Sequence, residues 1–83
     1  MTTRHAIGGV KKRHLGAAVD AARRYHACHD LPIKTQQRFY ARMLKLAAKV
    51  AADNGMDPAD ALSQITREAE SRGTLRLQPG KDY

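Results

Sequence analysis

Tryptophan is absent from this chain, and phenylalanine and cysteine occur once each. The lone cysteine, Cys28, excludes a disulfide within the chain and fits a reducing compartment. The shortage of large aromatics limits the area that each buried side chain removes from water. No run approaches the ~18 apolar residues of a membrane-spanning helix, so no membrane partner is expected. The segment MTTRHAIGGV lacks the apolar run of a secretory leader. Residues 1–19 contain no acid, as in an organellar transit peptide, but they are poor in serine and end in a helix pattern. A cytoplasmic protein is therefore the expectation. Signatures of catalysis are missing too. There is no phosphate-binding loop, no HExxH and no pair of carboxylates in an apolar setting, and Gly8-Gly9 does not follow a strand. The expectation is a protein that is not an enzyme and needs no cofactor.

What the chain does have is alanine and positive charge. Its 83 residues make one domain. A chain of this size buries only about 60% of its unfolded surface. A core of small side chains is then best served by closely packed helices, with a second copy of the chain as one way to complete it.

Three helices can be read from apolar spacing. In the first, from about Val10 to Cys28, Leu15, Ala18, Ala22 and Tyr25 recur on one face with Val19 beside them. Its centre is nearly all Ala, Gly and Val, which permits close approach of another helix and leaves a homodimer open. Leu31-Pro32 stops it, because the residue before proline is pushed out of the helical region. The second helix is expected to begin at Thr35 as N-cap and to carry Phe39, Met43, Leu46, Ala47 and Val50 inward. Asn54-Gly55 ends it, with Gly55 suited to a left-handed turn and Met56 able to pack back. The third has the sharpest start: Asp57 caps, Pro58 takes the first position, and Asp60 lies near the positive helix end. Ala61, Leu62, Ile65 and Ala69 form its inner face, and residues 71–73 close it. The tail TLRLQPGKDY alternates Leu75 and Leu77, consistent with a short strand or an extended arm. The expected organisation is a flexible basic arm over residues 1–9, a three-helix domain over 10–73 and an extended tail over 74–83. The fold class is all-α, a small three-helix bundle.

The net charge of +7 is unevenly spread. Residues 1–50 hold eleven Lys/Arg against two acids, a balance of +9, whereas residues 51–83 hold four against six, a balance of −2. The largest concentration falls on the second helix. At about 100° per residue, Lys34, Arg38, Arg42, Lys45 and Lys49 form a band about 80° wide, separate from the apolar sector. Like charges at i, i+4 oppose helix formation by a few tenths of a kcal/mol per pair. Only Asp53 offers a carboxylate on that side. An anionic partner removes the penalty, and regularly spaced phosphates would do so with release of counterions. Lys11, Lys12, Arg13, Arg23 and Arg24 extend the cationic set onto the first helix. These ten residues are the candidate nucleic-acid contacts.

Helices two and three can also be read as a helix-turn-helix, with Ala51, Gly55 and Met56 at the turn. The recognition helix would then open on Asp57 and Asp60, which would face phosphates. That docking is disfavoured. Few aromatics argue against a single-strand stacking platform, and Tyr25 and Tyr40 are expected to be half-buried core residues. The expectation is therefore a small regulatory or accessory protein that binds duplex DNA mainly through phosphates. The alternative is an inhibitor or adaptor that docks its basic face on an acidic protein surface.

The stretch YHACHD places His26, Cys28 and His29 together. Helical spacing sets His26 and Cys28 about 200° apart, so they do not share a tetrahedral ion on a regular helix. No metal site is expected. Cys28 should pack as a small hydrophobe.

Overall fold

The computed structural model describes residues 13–83. Among them are three α-helices and no strand: α1 Leu15–Ala27, α2 Ile33–Asn54 and α3 Pro58–Ser71. Each helix packs against the other two. The start of α1 and the end of α2 lie side by side, since His14 Nδ1 is 2.8 Å from Asp53 Oδ2. The arm at residues 1–9, the proposed helix start at Val10, and Lys11 and Lys12 lie outside the described residues.

α1 is short and rich in alanine, the residue with the highest helix propensity. It buries Leu15, Ala18, Val19, Ala21 and Ala22. Arg13 and His14 form a turn, so the helix starts at Leu15 instead of continuing from further upstream. Its end comes at Ala27, where the Cys28 N–H donates to the Tyr25 carbonyl at 3.3 Å.

α2 begins two positions before Thr35, at Ile33, with Pro32 in the extended region just ahead of it. Thr35 therefore sits in the first turn and does not cap it. The N–H groups of Thr35 and Gln36 donate to the Pro32 carbonyl, each at 3.0 Å. Proline ends one helix and seeds the next, because its own amide is not needed at a helix start. The side chain of Gln36 folds back and donates to the carbonyls of Leu31 at 2.8 Å and His29 at 3.2 Å. It thereby pins the α1–α2 turn.

At the other end of α2, Gly55 has φ 61°, the left-handed conformation. Met56 N–H donates to the Ala51 carbonyl at 3.0 Å and Gly55 N–H to that of Ala52 at 3.5 Å. This is the paired closure that glycine makes possible. Met56 then packs on the core. α3 starts as its sequence suggests: Asp57 accepts from the Ala59 N–H and Pro58 occupies the first turn.

The core is one cluster that joins Leu15, Ala18, Val19 and Ala22 of α1, Met43, Leu46, Ala47 and Val50 of α2, and Ala61, Ile65 and Ala69 of α3. No charged or polar residue is buried among the described residues. Residues 74–83 form neither helix nor strand. They are fastened by Asp82, which accepts from the Gln78 N–H at 2.8 Å and pairs with Arg24 of α1 at 3.3 Å.

Candidate nucleic-acid interface

α2 presents three faces. Phe39, Met43, Leu46, Ala47 and Val50 point into the bundle. Lys34, Arg38, Arg42, Lys45 and Lys49 are all exposed. Their spacing puts them on one side of the helix, because residues three and four apart are surface neighbours.

None of these five cations lies within ion-pair distance of a carboxylate among the described residues. The chain has eight acidic side chains, and residues 1–12 contain none of them, so every potential side-chain partner is within view. Three acids are engaged: Asp53 by His14, Asp82 by Arg24 and Glu68 by Arg72. The first pairing matters most. Asp53 lies one helical turn beyond Lys49 and was the only acid expected to temper the stripe. Instead it holds the start of α1.

The remaining candidates are placed differently. Arg13 is exposed in the turn before α1. Arg24 is held by Asp82 of the tail. The Gln78 N–H, followed by Arg24 itself, keeps the Asp82 carboxyl below the usual carboxylate range. Arg23 is half-buried and turned toward α3. It lines a cavity of about 240 Å³ with His26, Glu70, Thr74 and Leu75, and its buried Nε has no hydrogen-bond partner among the described residues. The structure thus gathers the five α2 cations on one open face and separates Arg23 and Arg24 from the free charge.

α2 also has a third face, which carries Tyr40, expected from the sequence to be a half-buried core residue. Tyr40 and Leu44 are 43% and 37% exposed, and Ile33 is 63% exposed, so the bundle does not cover them. Tyr25 is half-buried as expected, but Tyr40 is not. Their rings lie 5.1 Å apart, tilted by 47°. The spacing of Ile33, Gln37, Tyr40 and Leu44 at i, i+4, i+7 and i+11 carried that signal. An apolar sector this broad exceeds what two neighbouring helices can bury.

His26 and His29 are exposed while Cys28 is buried, and no group of three potential ligands is arranged for a metal among the described residues. Cys28 Sγ donates to the Tyr25 carbonyl at 3.1 Å. Burial pushes this thiol above its ordinary value of 9.0, and the charge of Asp30 adds to the shift. Two outcomes follow. Alkylation of the native protein near neutral pH should run more than about a hundredfold slower than in denaturant, because it waits on opening of the fold. Stability should also fall as pH rises through and above that ordinary value, since the unfolded thiol ionises first. Mass spectrometry of iodoacetamide-treated protein checks the first. Labelling at the rate of a free thiol would contradict it.

No family model, curated protein or solved structure matches this chain.

Proposed function

We propose that this protein binds nucleic acid, in the first instance duplex DNA, in a regulatory or accessory role and mainly through phosphates. The supporting observation is the exposed row Lys34, Arg38, Arg42, Lys45 and Lys49 on one side of a single helix, with no carboxylate partner among the described residues, whereas Arg24 and Arg72 have one. Repulsion along such a row opposes the helix that carries it. Phosphates relieve that repulsion and gain counterion entropy. Most protein–DNA hydrogen bonds go to phosphate and sugar, and evenly spaced cations match the repeat of phosphates, so contacts to the backbone, with little sequence preference, are the expected mode.

A mobility shift against random duplex tests the reading. Retention should fall by about two to three orders of magnitude between about 50 mM and about 200 mM salt. Absence of a shift at the lower salt would contradict it. In that case a protein with an acidic surface that co-purifies at moderate salt would favour the inhibitor or adaptor reading.

A further inference from the structure

Beside the basic row, the first turns of α2 and the end of α1 border an open, shallow niche of about 190 Å³. It is lined by Tyr25, Ile33, Gln36, Gln37 and Tyr40. We infer that this niche seats one unpaired nucleobase of a strand whose phosphates lie on the basic row. The inference rests on the nucleic-acid reading and extends it: beside duplex held through its phosphates, the same surface would hold a single-stranded or frayed end through one base.

The chemistry of the lining supports a planar heterocycle. Tyr40 is 43% exposed, so part of its ring is open to a stacking partner, and the tilted Tyr25 ring backs it at 5.1 Å. Ile33, 63% exposed, supplies an apolar edge. Gln36 is not available to a ligand through its amide nitrogen, which donates to the carbonyls of His29 and Leu31. That anchoring fixes the floor of the niche. Gln37 is exposed and makes no hydrogen bond of its own among the described residues that would occupy its carboxamide. A carboxamide presents a donor and an acceptor side by side, the pattern that matches a base edge.

The position of the niche selects the ligand. Gln37 neighbours Ile33 and Tyr40 on one side and Lys34 on the other, at helical spacings of three and four. Lys34 and Arg38 are exposed and lack carboxylate partners among the described residues. An apolar protein segment seated in the niche would cover these cations and strip their water without compensation. A nucleotide brings its own phosphate to them. Stacking on an aromatic ring beside cations is the usual way a single strand is held without strict sequence demand.

The test compares a short single strand of mixed sequence with its duplex, using fluorescence anisotropy on wild-type protein, Tyr40→Ala, Tyr40→Phe and Arg38→Glu. Tyr40→Ala should weaken single-strand binding about tenfold or more while its salt dependence stays unchanged, because no charge is lost. Duplex binding should stay within about twofold, and Tyr40→Phe should keep the single-strand affinity, since the ring remains. Arg38→Glu should weaken both forms. The exposure of Tyr40 makes misfolding of these variants an unneeded explanation, and circular dichroism checks it. Equal single-strand affinity of wild type and Tyr40→Ala, with salt-sensitive binding retained, would overturn the niche and leave the basic row standing. Salt-insensitive or absent binding of wild type to both forms would overturn the underlying reading.

Discussion

Replacing Arg38, Arg42, Lys45 and Lys49 together with glutamate should abolish retention on duplex DNA, a loss of at least about a thousandfold near 100 mM salt. Each exchange moves the charge by two units, which takes the chain from +7 to about −1. The effect exceeds simple removal, because the new carboxylates repel phosphates at the former contact points. The fold should survive. All four side chains are exposed and none forms an ion pair within the described residues. The new row exchanges one set of like-charge neighbours for another, while Lys34 gains an opposite charge at Glu-substituted position 38. The helical circular dichroism signal and the melting temperature should therefore stay close to wild type. Retention on DNA by the folded variant would remove the basic row from the account.

Ile65→Ala is expected to have the largest effect on stability. Ile65 is fully buried and is among the three largest such side chains, with Val19 and Cys28. Deletion of an isoleucine to alanine in a core costs about 2–5 kcal/mol, and the upper half of that range applies where neighbours cannot close the void. Here they cannot easily do so. Ala18, Ala22, Ala47, Ala61 and Ala69 surround the same core and have no side-chain freedom to move inward. The helices themselves would have to shift. A domain of this size has only about 4–12 kcal/mol of stability. A loss near 3 kcal/mol should lower the melting temperature by about 15 °C. Leu44→Ala is the control, because Leu44 is 37% exposed and should change stability by under about 1 kcal/mol. Similar melting temperatures for the two variants would mean that the core lies elsewhere.

Much of the fold was legible because local chemistry decided it. Asn54-Gly55 and Asp57-Pro58 each carry a backbone requirement that few other residues meet, and both helix ends fall there. The opening of α2 was harder to read. Thr35 has the chemistry of a cap, but Pro32 three residues earlier already turned the chain, and Gln36 fastened the turn from inside the helix. The start of α1 was harder still, since Arg13 and His14 have no strong turn preference, and the pairing of His14 with Asp53 links positions far apart in sequence.

The candidate site divides along the same line. The row on α2 follows from helical spacing alone, and its exposure follows from the charges. Whether acids elsewhere neutralise it depends on tertiary contacts that no spacing rule supplies. Asp53 and Asp82 illustrate this: one left Lys49 for His14, the other captured Arg24 from the far end of the chain. The exposure of Tyr40 was hidden for a related reason. Its spacing fits a broad apolar sector, and only the placement of α1 and α3 decides how much of that sector is covered.

The most direct test of the central claim is the slope of log affinity for random duplex against log salt, measured for wild type and for Arg42→Gln. Five phosphate contacts predict a slope of about −4 to −5, and loss of the one charge at Arg42 should make it shallower by about one. A wild-type slope shallower than about −1, or one that Arg42→Gln leaves unchanged, would show that the row is not where a polyanion binds.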